Sequence, residues 1–150
     1  MSENATESTA NLPRLKWLGL IHEGVPCKRK DLDACIKFYI DVFDLKMVAR
    51  PDKIFDQVLG YSPSGAWLAN EVKTVKFDLI AKDDELSPSG DAPLSPTARH
   101  TAWLVEDLDA VCERLRQHNV MFKRVGGAVA SDQVFVNDPS GNTWEFQEPV

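Results

Sequence analysis

The tetrapeptide Asp-Leu-Asp-Ala occurs twice, at residues 31–34 and 107–110, each time behind a strand-like segment that carries a histidine. Nine positions separate His22 from Asp31, and seven separate His100 from Asp107. A two-residue insertion in the basic turn Lys28-Arg29-Lys30 accounts for the difference and keeps the side-chain alternation of the strand intact. After each tetrapeptide the apolar residues recur at helical spacing. They are Leu32, Cys35, Ile36, Tyr39 and Ile40 in the first copy, and Leu108, Val111, Cys112 and Leu115 in the second. Asp31 and Asp107 are the expected N-caps of helices ending near Phe43 and His118. The last strand of each copy aligns as well, with Phe77-Asp78-Leu79 against Trp144-Glu145-Phe146. A unit of one strand, one helix and three strands thus occurs twice, which makes the chain a duplication.

The remaining elements fit this scheme. Alternation predicts strands at 18–27, 45–50, 66–68, 72–81, 100–105, 120–125, 133–137 and 143–147. Pro26 places the first of them at a sheet edge or near its own end. Pro88, Gly90, Pro93 and Pro96 break the pattern between the copies. The expected organisation is a polar tail at 1–15 and a single domain at 16–150. That domain consists of modules 16–82 and 98–150, joined by the Pro-rich linker 83–97. The fold class is α+β.

Charge and cysteine content exclude several functions. A net charge of −6 and a pI near 5.0 argue against nucleic acid, whose phosphates are held by clustered Lys and Arg. No apolar run reaches the ~20 residues of a membrane span, and the polar N-terminus carries no secretory signal. Cys27, Cys35 and Cys112 have no C-x-x-C spacing and read as reduced thiols of a cytoplasmic protein.

Chemistry enters through the polar faces of the strands. In the first and last strand of each unit one face is bulky and apolar, and the other carries His22, Asp78, His100 and Glu145. Two curved sheets that turn those faces into a common concavity would bring two imidazoles and a carboxylate together as an open divalent-metal site. Asp78 is a candidate base or fourth ligand, or a solvated carboxylate of the cavity wall. Lys76 shares its face, and either pairs with Asp78 or binds an anionic substrate. Trp67, Trp103 and Trp144 read as core or pocket wall. In the turn at 137–142 Pro139 pre-sets φ, Gly141 or Asn142 takes φ > 0, and the Asp138 carboxylate folds back on nearby N–H groups.

The pieces His22-Glu23-Gly24-Val25-Pro26, Asp31-Leu32 with Phe38-Tyr39, His100 with Val105-Glu106-Asp107-Leu108, and Asp138-Pro139-Ser140-Gly141-Asn142 through Glu145 resemble the vicinal oxygen chelate superfamily. Its members include glyoxalase I, methylmalonyl-CoA epimerase, extradiol dioxygenases, fosfomycin-resistance proteins and bleomycin-binding proteins. The resemblance runs from about Leu18 to Gln147 and rests on order and spacing. It implies two βαβββ modules whose curved mixed sheets form a metal-binding cup. It further implies one divalent metal ion (Zn, Ni, Mn, Co or Fe) on His22, His100 and Glu145, with Asp78 at the fourth position. Asp78 or Glu145 would move the proton, and Lys76, Phe135 and Trp67 would line the substrate site. Phe135 stands where the dioxygenases and fosfomycin enzymes of that superfamily carry a tyrosine, and it has no O–H to donate.

The resemblance implies a glyoxalase-like lyase or isomerase that chelates two neighbouring oxygens of a small substrate and stabilises an enediolate. The alternatives are an extradiol-type Fe(II) dioxygenase and a small-molecule binding or resistance protein without turnover. It also implies a homodimer.

Overall fold

The computed structural model describes residues 15, 16, 18–49, 65–82, 94, 100–126 and 132–149. The expected tail up to residue 14, Tyr61 and its turn, and the Pro-rich linker except Leu94 lie outside these residues. The described residues form two βαβββ modules. The first contains β1 (Glu23–Lys28), α1 (Leu32–Asp41), β2 (Lys46–Val48), β3 (Gly65–Ala69) and β4 (Lys76–Lys82). The second contains β5 (His100–Leu104), α2 (Leu108–Gln117), β6 (Phe122–Val125), β7 (Gln133–Asn137) and β8 (Thr143–Gln147). Each module makes one open, mixed four-stranded sheet, ordered β1-β4-β3-β2 and β5-β8-β7-β6. The first and last strands of each module pair in parallel, and a helical crossover supplies the required return. No described helix is long and apolar enough to cross a membrane.

The registers of the two sheets match. Gly24 lies opposite Asp78 in the first, and Ala102 lies opposite Glu145 in the second. Val25, Cys27, Phe77 and Leu79 fill the apolar face of the first sheet, and Trp144 and Phe146 that of the second. Both helices cover these faces, so one core cluster spans the two modules. The rings of Phe77 and Trp144 stack at 4.7 Å with 10° between their planes. Their register partners meet too, since Thr101 Oγ1 donates to Glu23 Oε1 at 3.0 Å. Equivalent residues touching equivalent residues mark a local two-fold axis between the modules. Because side chains alternate along a strand, Asp78 and Glu145 project from the opposite, outer faces.

Several local expectations are revised. Sheet pairing of β1 starts at Glu23, so His22 lies just before the strand and not within it. Val72 belongs to the turn before β4 and is exposed. Asp107 caps α2 by accepting from Ala110 N–H at 2.9 Å, whereas Asp31 makes no side-chain cap. The reason is the 3-10 turn Arg29–Asp31, which gives Asp31 helical dihedrals and removes its carboxylate from the capping position. Pro26 does lie on an edge strand, and all three cysteines are free and buried.

Candidate functional site

The outer face of the second module is built around Glu145, whose side chain is only 4% exposed. Its Oε2 lies 2.6 Å from His100 Nε2. Its Oε1 accepts from the Gln133 side-chain amide at 2.6 Å and also from the Gln147 amide. Gln133 and Gln147 face each other across β7 and β8, two residues along from the Phe135–Glu145 pair, so the alternation of both strands aims all four side chains at one patch. The Phe135 ring meets the His100 imidazole edge-on, with centroids 5.4 Å apart. Two amide donors on one carboxylate oxygen and the imidazole beside the other fix the direction in which Glu145 presents its lone pairs.

The first module repeats this arrangement loosely. His22 stands two residues before Gly24, the register partner of Asp78, just as His100 stands two before Ala102, the partner of Glu145. His22 is exposed and Asp78 is 8% exposed. Both line a cavity of about 340 Å³ that Trp67 and Lys76 also border. Trp67 is therefore wall and not core, while Trp144 is core.

The structure brings His100 and Glu145 together and places His22 and Asp78 on the other module. Among the described residues no three His, Cys, Asp or Glu side chains gather closely enough to hold a metal ion. The polar faces of the two modules therefore gather no three such ligands among the described residues of one chain. The cause is the packing of large aromatics: Phe77 and Trp144 press the apolar faces together and leave the polar faces outside. The His100–Glu145 pair suits a divalent cation as half of a ligand set, one nitrogen and one carboxylate.

Two features escaped sequence reading. One is the pair of glutamines that hold Glu145, legible only as same-face alternation in Gln133-x-Phe135 and Glu145-x-Gln147. The other is the role of the 138–142 turn, whose residues spell local turn chemistry and which clasps the two modules. Gly141 takes φ +92°, which only glycine adopts at little cost. Asp138 Oδ1 accepts from the Ser140 and Asn142 N–H groups at 2.9 and 2.8 Å. Its Oδ2 accepts from the Tyr39 hydroxyl at 2.5 Å, and the same hydroxyl accepts from Trp144 Nε1–H at 2.9 Å. Asn142 also donates to Pro26 O, and Ser140 Oγ accepts from Lys28 N–H, which ties β1 to the turn. Burial raises the Asp138 carboxyl above its usual range against these donors, and burial raises the Tyr39 phenol as well. Tyr39 is thus core, as its helical spacing indicates, and also a buried proton donor.

Comparison with solved structures reproduces this architecture. A glyoxalase/dioxygenase from Nostoc punctiforme is 18% identical, covers 99% of each chain and has a TM-score of 0.66. Lactoylglutathione lyase from Agrobacterium tumefaciens is 20% identical over 87% of this chain and 93% of its own, with a TM-score of 0.59. An antibiotic-binding protein from a Streptomyces species is 16% identical over 91% of this chain and 100% of its own, with a TM-score of 0.61. At these identities the likeness establishes the fold. None of the curated proteins matches the chain. The sequence pattern of one family does match, from residue 28 to residue 146, and it spans both modules and the turn that clasps them. On that match the chain belongs to the Glyoxalase/Bleomycin resistance protein/Dioxygenase superfamily.

Proposed function

We propose that this protein is a metal-dependent lyase or isomerase for a small oxygenated molecule, working at a site that a second copy of the chain completes. The observation that carries the reading is the matched register of His22–Asp78 and His100–Glu145 on outward faces of one chain. A two-fold dimer sets the first module of one copy against the second module of the other, which brings these pairs face to face twice. The unpaired edges support it. Among the described strands β1 and β5 are both edges, and Ile21, just before β1, and Leu104, at the end of β5, are exposed at 78% and 71%.

In this reading His100 and Glu145 of one copy and His22 of the other hold the divalent ion, a donor set that suits Zn, Ni, Mn, Co or Fe. When bound, the ion would polarise the substrate oxygens as a Lewis acid. The chain's own groups do the rest. Gln133 and Gln147 orient Glu145, and Asp78 on the facing wall takes or returns the proton. Trp67, Lys76 and Phe135 line the substrate space.

One observation favours a second reading, a binding protein without turnover: among the described residues of a single chain only two donors converge. Elemental analysis of His22→Ala, His100→Ala and their refolded equimolar mixture separates the two. Each variant alone is expected to lose bound metal, and random pairing should restore about a quarter of the sites. Variants that retain wild-type metal, a wild-type protein without metal, or a strictly monomeric chain would defeat the enzymatic reading.

A further inference from the structure

The cavity on the outer face of the first module has two contrasting walls. Trp67, Val48 and Ile21 supply apolar surface, and Lys73 and Lys76 add two ammonium groups to the same lining. The ion pairs among the described residues involve neither lysine. In a chain of net charge −6, two cations beside an apolar cavity create a local field opposite to that of the whole molecule. Asp78 is largely withdrawn from solvent whereas both lysines are exposed, so among the described residues positive charge dominates the cavity mouth.

The turn between β3 and β4 fixes the backbone from which one of these cations projects. Asn70 Oδ1 accepts from Val75 N–H at 3.0 Å, its side-chain amide donates to Thr74 Oγ1 at 2.8 Å, and its carbonyl accepts from Lys73 N–H at 3.0 Å. Within this turn Lys73 holds φ 57°, a left-handed conformation that a lysine adopts only where its surroundings impose it. The volume of about 340 Å³ falls at the small end of ligand sites, which span about 300–1,000 Å³.

We infer that the substrate class is a small carboxylate borne on an apolar, aromatic body, with the anion on Lys73 and Lys76 and the ring against Trp67. This rests on the proposed small-molecule function of the same site and adds the polarity of its ligand. The reactive end of such a molecule would point toward His22 and Asp78.

The test compares 3-phenylpropionate with its neutral isostere 3-phenylpropanamide, by calorimetric titration of the full chain. The acid is expected to bind about tenfold more tightly, as two exposed ion pairs would provide. In the double variant Lys73→Gln/Lys76→Gln that preference disappears while amide binding is unchanged, and Trp67→Ala weakens both ligands. Equal affinity for acid and amide, no binding of either, or a preference that survives in the double variant would overturn the inference. Metal content measured on the same samples keeps the two readings apart. Retained metal without anion preference removes only this inference, and anion preference without metal removes only the enzymatic one.

Discussion

Glu145 Oε2 and His100 Nε2 stand 2.6 Å apart on the outer face of the second sheet, and two glutamine amides hold the other carboxylate oxygen. Both glutamine amides donate to Glu145 Oε1, so they act by orienting it. Gln133→Ala is expected to lower metal affinity about 10–100-fold while His100 and Glu145 remain in place. A chelator competition titration measures this. Unchanged affinity would mean that Gln147 alone suffices.

Tyr39→Phe removes one hydroxyl from the buried clasp. Asp138 loses a donor and Trp144 Nε1–H loses its acceptor. The expected cost is about 1–3 kcal/mol, the penalty for leaving buried polar groups unsatisfied. Urea unfolding should show a lower midpoint with an unchanged slope. A shift within error would show that water replaces the hydroxyl.

Asp138 also gives the clasp a pH dependence of defined sign. Burial raises its carboxyl above the unfolded value, so the folded state binds the extra proton first. Its contribution is fully present below the unfolded pKa and is lost as pH rises through the folded one. The stability advantage of wild type over Asp138→Asn should therefore widen as pH falls from about 7 toward about 4.5. Paired urea titrations at those two values decide the matter, and a constant or narrowing gap would refute it.

The two Asp-Leu-Asp-Ala copies should respond differently to the same mutation. Asp107→Ala loses a cap to Ala110 N–H and should cost about 0.5–2 kcal/mol. Asp31→Ala, which removes no side-chain cap bond, should cost clearly less. Thermal unfolding of both variants makes the comparison. Equal losses would mean that Asp31 acts through some other contact.

The duplication, the strand faces and the helical stripes were legible in the sequence because each follows from local periodicity. Alternation in Trp144-Glu145-Phe146 already separates the carboxylate from the aromatics, and the structure keeps that separation. What periodicity does not encode is which faces of two sheets meet. The stacking of Phe77 on Trp144 is a choice between two pairings that are equally consistent with the same pattern. That choice leaves His22 and Asp78 with the first sheet and His100 and Glu145 with the second. The asymmetry of the two caps was hidden for a related reason. A two-residue insertion becomes a 3-10 turn only through the path that the chain takes into α1. Tyr39 shows a third limit: helical spacing predicted its burial, and only tertiary contact could supply Asp138 as its acceptor.

The clasp has a consequence for how the molecule is made. Lys28 and Pro26 find their partners in Ser140 and Asn142, 112 and 116 residues further along. During synthesis the first strand therefore leaves the ribosome long before the groups that complete it. The first module must wait, partly unfastened, until the turn at 138–142 has been made. Folding should end with a late closure step, and an isolated first half should remain loose and prone to self-association.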